Sequence, residues 1–424
     1  MASSVSPRPV RDLSVLLPTI RPLFTDADVA SLIELRRDLH AHPELSWKEE
    51  RTATLLAGRL AALGASDVKR VAGTGIVARF AGRDRGAPVV AVRGDIDALP
   101  IDEATSLPFA SQVPGVMHAC GHDIHATWAV GAALLLARAP ANGDVLVVLQ
   151  PAEEVGEGAK AILETGALDE ARAIFGGHVD RRFAVGEVVA EAGPLAASAD
   201  TFEIELAGKG AHGARPHESA DPIVGASALV AALQTIVARR IDPAAAAVVT
   251  VGTMHAGTAP NVIPERALLS GTLRATTPET RAMLGEEVRR LAESVAAAYR
   301  LTAHVNVHWG TPPIVNPSAP AAWARRAAVA VLGEAAVVPF GVTNMGGEDF
   351  AFYLERIPGC FMRIGAREEG GERLAAHSPR FTAAEESIFV GAAVLAEAAR
   401  VAAAELGLGA RDSRDSRDSR GQSR

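Results

Sequence analysis

The segment Met117-His-Ala-Cys-Gly-His-Asp-Ile-His125 places three histidines, one cysteine and one aspartate within nine residues. Thiolate and imidazole are donors that zinc and related divalent metals take up. Only Gly121 separates Cys120 from His122, and a helical pattern follows, so a loop at a helix start can aim both at one point. A second piece, Leu149-Gln-Pro-Ala-Glu-Glu154, sets two adjacent carboxylates just past an apolar run, where open α/β sheets carry their sites. A third, Gly176-Gly-His178, ends the apolar run at 173–175, and a fourth, Ala376-His377, precedes the last long helical pattern. Singly, each has a bland reading: a buried cysteine at a polar helix start, a solvated acidic loop, structural histidines. Together, Cys120, His122, Glu154, His178 and His377 come mostly from strand ends of one sheet. They suffice for two metals that share a hydroxide and clamp a substrate oxygen. Glu153 then stays unligated as a general base.

Such a set needs a frame. Thr25 or Asp26 caps a helix running towards His40, 49–63 reads as a second helix closed by Gly64, and short apolar strands follow at 76–80, 89–92 and 145–149. The last two lack alternation, as strands buried on both faces do. A helix pattern covers 126–139, and the whole reads as α/β. Near residue 196 the pattern changes. A strictly alternating strand at 201–206 is followed by a helix (222–238), two strands (247–254, 266–274), a helix (278–298) and an alternating strand (302–309). This βαββαβ order is ferredoxin-like. The proline-rich stretch 311–317 reads as an exit linker, and the first pattern resumes to about 408. The expectation is a discontinuous α/β catalytic domain (25–195 and 311–408) carrying an inserted ferredoxin-like α+β domain (196–310). Residues 1–24 lack periodicity and read as dispensable, and the Arg-Asp-Ser repeats predict a disordered tail at 409–424.

Composition narrows the function. Across 424 residues, 42 basic against 50 acidic side chains leave a net charge of −8, which argues against a nucleic-acid-binding surface. Two cysteines, Cys120 and Cys360, exclude a disulfide framework and suit free thiols in a reducing, cytoplasmic setting. The sequence shows no apolar run approaching the roughly 18 residues that span a bilayer, and no signal-peptide pattern, so no membrane association is expected. Gly208, Gly210 and Gly213 fit G-x-G-x-x-G. Pro216 and Asp221-Pro222 interrupt the chain where a dinucleotide site needs a helix, so these read as turn glycines.

The ordered motifs LRRDLHAHPELSWKEERTA, RGDIDALP, MHACGHDIH, LQPAEE, GGHV, GKGAHGARPHESADPI, GTAPNVIPE, GTLR and GGEDFAFY run from about Leu35 to about residue 400. On these the chain resembles the aminoacylases, hippurate hydrolases and indole-acetyl-amino-acid hydrolases, subfamily D of metallopeptidase family twenty. The resemblance implies a zinc-peptidase-like catalytic domain and an inserted lid and dimerisation domain. It also implies two divalent metal ions (manganese or zinc, with cobalt or nickel accepted) and a homodimer or higher homo-oligomer. Residue by residue, Cys120, His122, Glu154, His178 and His377 match the metal ligands and Glu153 the general base. Asp97 matches an acidic residue that orients the site, and His212 a histidine that polarises the scissile carbonyl. Asn261 and Arg274 match positions that hold the free carboxylate of an N-acyl amino acid. The chain departs from the family after Glu154 (Val-Gly-Glu-Gly-Ala-Lys) and after His178 (Val-Asp-Arg-Arg-Phe, without the prolines common there).

The expected reaction is metal-dependent hydrolysis of the amide bond of N-acyl amino acids. A dipeptidase or carboxypeptidase can use the same site. Two further readings take the residues differently: a cysteine hydrolase with Cys120 as nucleophile, which leaves the glutamate pair and His377 unexplained, and a metal-dependent binding protein that keeps the fold.

Overall fold

The computed structural model describes residues 16–342 and 344–421, with side chains described to Leu408. Thr25 caps α1 (Asp26–Ala41): its hydroxyl accepts from the Asp28 amide while the Asp28 carboxylate accepts from the Thr25 amide. Then come α2 (Glu50–Ala62), β1 (Asp67–Val71), β2 (Gly75–Phe80), β3 (Val89–Asp95), α3 (His122–Arg138), β4 (Val145–Gln150), α4 (Gly158–Glu164), β5 (Ala171–Ala184) and β6 (Val188–Val189). The middle of the chain forms β7 (Gly193–Ala196), β8 (Ala199–Ala207), β9 (Ala211–His212), α5 (Pro222–Arg240), β10 (Ala247–Ala256), β11 (Val262–Ile263), β12 (Arg266–Ala275), α6 (Pro278–Ala298), β13 (Thr302–Thr311) and β14 (Ile314–Asn316). The last stretch supplies α7 (Ser318–Leu332), α8 (Ala351–Leu354), β15 (Gly359–Arg367) and α9 (Glu386–Gly421).

The chain divides into two compact units, one of residues 1–193, 316–341 and 352–424, the other of 194–315 and 342–351. In the first, seven strands order as β1-β2-β4-β3-β5-β15-β6. The neighbours β4, β3, β5 and β15 run parallel, and β1, β2 and β6 add antiparallel edges. Every residue of β4 is buried, which is why its Val-Leu-Val-Val-Leu run shows no alternation. Helix α3 packs on α9 and α1, and Trp128, Phe175 and Phe389 are fully buried in this core. The parallel register brings Asp95 at the end of β3 beside Gln150 at the end of β4, and Arg363 of β15 beside His178 of β5. The mixed α/β class with a large buried sheet is as the sequence predicts.

In the second unit four antiparallel strands order as β10-β12-β8-β13. With α5 and α6 between strands, this is the ferredoxin-like arrangement. The alternation in β8 is real: Phe202, Ile204 and Leu206 face the core while Thr201 and Glu203 are exposed.

Several expectations need correction. Leu16, Ile20 and Phe24 are buried in the first unit's core, so the segment before residue 25 is not dispensable; residues 1–15 lie outside the described residues. The proline-rich stretch is not a bare linker, because β14 pairs with β7. The Asn316 side chain also bonds both backbone groups of Phe361 (2.8 and 2.9 Å). Residues 342–351 group with the inserted unit rather than the flanking one. Helix α9 continues to Gly421, where disorder was expected; no proline interrupts the Arg-Asp-Ser repeats. Among the described residues two helical spans, Pro222–Arg240 and Glu386–Leu408, are long and apolar enough to cross a membrane, contrary to the sequence reading; the second is 78% buried in the core. No helix opens at Gly213; a short 3₁₀ turn at Pro216–Glu218 follows instead.

Candidate metal centre

Gly121 sets the geometry of the loop that carries Cys120 and His122. It caps α3 at φ +91, and a Cβ there would lie 2.5 Å from Val179 Cγ2. Only glycine lets the chain turn sharply against β5 at this point. Cys120 Sγ then lies 3.2 Å from His178 Nε2. His122 begins α3 itself, a turn earlier than the helical pattern at 126–139 indicates.

His122 and His178 each have one nitrogen occupied and one aimed at the site. His122 Nδ1 meets Asp97 Oδ1 at 3.1 Å, and His178 Nδ1 donates to the Val179 carbonyl at 2.7 Å. That fixes both Nε2 lone pairs towards a common point. His122 Nε2 is 3.7 Å from Glu153 Oε2 and 3.7 Å from Glu154 Oε1, and Glu154 Oε2 is 3.3 Å from His377 Nε2. His122 Nε2 and Glu154 Oε1 are buried with no hydrogen-bond partner among the described residues. Buried orphans of this kind cost free energy unless something satisfies them.

A divalent metal does so. Ligand bonds of 2.0–2.3 Å in a tetrahedron hold donors roughly 3.3–3.8 Å apart. The Cys120–His178, His122–Glu154 and Glu154–His377 separations, 3.2, 3.7 and 3.3 Å, lie close to that spacing. The donor atoms form overlapping groups, Cys120–His122–His178, Cys120–Glu154–His377 and His122–Glu153–Glu154, so the cluster has room for more than one ion.

The electrostatics agree. Burial, and then the Glu154 charge, push the Cys120 thiol up to about 12. A nucleophilic cysteine needs the opposite shift, which speaks against Cys120 as a nucleophile. Burial raises the Asp97 carboxyl, but the His122 ring, the Glu154 amide and the Ser46 hydroxyl outweigh it and leave it below the ordinary value. Asp97 Oδ2 accepts from Ser46 at 2.8 Å and from the Glu154 amide at 3.0 Å, so one carboxylate steers both His122 and the glutamate pair. The Glu154 hydrogen bond raises His377.

Beneath the site lies a network the sequence reading missed. His125 Nδ1 bonds Asp95 at 2.6 Å, and its Nε2 accepts the Val179 N–H at 3.0 Å. Arg93 pairs with Asp95 and reaches Gln150 at 2.8 Å. Glu49 accepts from the Ala152 amide (2.9 Å) and the Thr74 hydroxyl (2.6 Å), holding Ala152 at φ +53 just before Glu153. The first aspartate in RGDID and the third histidine in MHACGHDIH were the available signals for Asp95 and His125.

The remaining expected residues belong to the inserted unit. His212 and Asn261 come together there: Val262 pairs with His212 in a two-stranded ribbon, and the Gly213 amide donates to the Asn261 carbonyl at 2.8 Å. His212 Nδ1 accepts from the Ala214 amide, and both His212 and Asn261 are exposed. Arg274 sits half-buried near the end of β12 against Gly347. His217, His255, His304 and His308 are exposed, in keeping with surface roles.

Comparison with known proteins places the chain. An N-acetylcysteine deacetylase of Bacillus subtilis is 43% identical over 372 residues, covering 87% of this chain and 96% of that protein. The IAA-amino acid hydrolase ILR1-like 2 of Arabidopsis thaliana is 37% identical over 404 residues, covering 94% and 91%. The crystal structure of the Bacillus subtilis YXEP protein, a dinuclear metal-binding peptidase of the M20 family, matches with a TM-score of 0.80 at 38% identity, covering 89% of this chain and 99% of that one. Residues 91–401 match peptidase family M20/M25/M40, and the chain belongs to that family.

Proposed function

We propose that the protein hydrolyses the amide bond of N-acyl amino acids, using two divalent metal ions held by Cys120, His122, Glu154, His178 and His377. The observation that carries this is the pair of buried, unpartnered donors, His122 Nε2 and Glu154 Oε1, converging with Cys120, His178 and His377 beside a second carboxylate. The relatives' substrates, N-acetylcysteine and an indole-acetyl amino acid, share an acyl group on the nitrogen of an amino acid. The metals, when bound, acidify water and polarise the acyl oxygen. The donor set admits zinc through its thiolate and manganese or cobalt through its carboxylate.

The chain's own residues do the rest. Glu153 takes the proton of the attacking water and returns it to the leaving amine. Asp97 holds His122 and the Glu154 backbone in register for this. His212 stabilises the charge that grows on the acyl oxygen. Arg274, with its planar fork of donors, and Asn261 hold the free carboxylate and so orient the amide. The inserted unit serves as lid and as the surface of a homodimer, and the two unpaired buried cysteines suit a reducing cytoplasm.

The test joins metal and rate. Stripped enzyme is reloaded with manganese or zinc and assayed for free amino acid release from N-acetyl, N-benzoyl, N-indole-acetyl and dipeptide substrates. Reloading restores turnover, and Glu153→Gln lowers kcat by roughly 100-fold or more while both metals stay bound. Near-normal turnover in Glu153→Gln, or activity untouched by stripping, contradicts the mechanism.

A further inference from the structure

We propose that Arg181 is the positioning residue for His377, and therefore for the metal position that His377 completes. This rests on the assignment of His377 as a ligand made above.

His377 is the least supported member of the set. It lies within residues 368–385, a stretch without regular structure between β15 and α9. Its side chain is 54% exposed, and its backbone is held at φ +65, a left-handed conformation uncommon outside glycine. Its own backbone anchor is one hydrogen bond, from its amide to the Ala119 carbonyl at 2.8 Å. Ordering such a loop around one imidazole costs backbone conformational entropy, which contacts elsewhere in the loop must offset.

Arg181 supplies the constraint. It stands on β5 three residues after His178, and only 2% of its side chain is exposed. Its guanidinium donates to the Glu372 carbonyl (2.7 and 3.1 Å), the Thr382 carbonyl (2.9 Å), the Ala366 carbonyl (3.4 Å) and the Glu368 carboxylate (2.7 and 3.2 Å). Glu372 and Thr382 lie five residues before and five after His377. One buried side chain thus pins both shoulders of the arch whose midpoint is His377. The strand that carries Arg181 also carries His178, so one rigid element fixes both histidines relative to each other. Lysine cannot replace Arg181, because an ammonium offers no fork to span two carbonyls and a carboxylate.

The experiment is calorimetric titration of the stripped, full-length protein with Mn²⁺, alongside thermal unfolding of the same samples. The variants are His377→Ala, Arg181→Met and Arg181→Lys. Wild type binds two equivalents, and His377→Ala weakens one of them. Both Arg181 variants weaken that same equivalent by roughly 10- to 100-fold, the usual effect of losing a ligand's supporting partner, and leave the other unchanged. A role confined to stability lowers Tm in the Arg181 variants but leaves both affinities at wild-type values, and that result overturns the inference. Arg181→Lys keeps a charge beside Glu368 and decides the matter should Arg181→Met fold poorly. If His377→Ala itself binds two equivalents as wild type does, the ligand assignment fails, and the inference fails with it for that separate reason.

Discussion

Replacing Gly121 with alanine tests whether the backbone at the head of α3 is shaped by the site. Gly121 sits at φ +91, and a Cβ would meet Val179 Cγ2 at 2.5 Å. The left-handed conformation costs an L side chain about 1–2 kcal/mol, and overpacking adds about 1–3 kcal/mol. Val179 cannot easily give way. It is β-branched and 4% exposed. Its N–H donates to His125 and its carbonyl accepts from His178. The expected loss is therefore about 2–5 kcal/mol. Gly73 provides the control: it has φ +75 and nothing within 4 Å of a built Cβ, so Gly73→Ala carries only the conformational cost. Urea unfolding of the stripped proteins, read by midpoint at a common m-value, compares the two. Gly121→Ala should exceed Gly73→Ala by about 1–3 kcal/mol. Adding Val179→Ala should recover a coupling of similar size in a double-mutant cycle. Equal losses at the two glycines, or strict additivity with Val179→Ala, refute the packing argument.

Two further outcomes follow from the ionisable groups. Metal binding should release a proton from Cys120, since its thiol is pushed up to about 12 without a cation. Between pH 6 and 8 the logarithm of Mn²⁺ affinity should therefore rise with pH, and Cys120→Ala should lower that slope by about one; an unchanged slope contradicts the thiolate assignment. Asp28, held by Arg138 and by the Thr25 cap, is lowered from 3.8 to about 2. Its folded value lies below its unfolded one, so its contribution is present above the ordinary value of 3.8 and lost as pH falls through about 2. Arg138 is half-exposed, which discounts the pair, so Asp28→Asn should cost about 1 kcal/mol at pH 7. That difference should shrink on acidification below pH 4; a difference independent of pH sinks the assignment.

How much the sequence revealed depends on how local each signal is. The cluster of candidate donors was legible because each of Cys120, His122, Glu154, His178 and His377 sits beside an apolar run or a helix start. The ferredoxin-like order was legible because strict alternation in β8 marks one wet face. The start of α3 was not, since a helix opening with His-Asp-Ile-His shows no apolar stripe: all four residues are buried. The full length of β5 was missed because its second half carries a polar run, Asp-Arg-Arg, whose charges are paired rather than solvated. Arg181 was unreadable in principle as a clamp, because its partners are backbone carbonyls up to 201 residues away, and any residue offers a carbonyl. The return of residues 342–351 to the inserted unit likewise rests on long-range contacts, such as the Ala197 amide on the Gly346 carbonyl.

The donors are not equally braced, and the asymmetry has a physical origin. Cys120, His122 and His178 are tied to the buried sheet through Asp97 and through the relay from Arg93 to Asp95, His125 and Val179. Every member of that relay is buried, so its hydrogen bonds act in a low dielectric and do not compete with water. These donors are in place before a cation arrives, and little ordering entropy is left to lose on binding. His377 differs. It is half in water, held by the loop clamp, its amide bond to Ala119 and its contact with Glu154. An ion at that end must order a ligand that solvent can also take. The proposed donor set thus couples a preformed part to an adjustable one, and the adjustable part is the one anchored by Arg181.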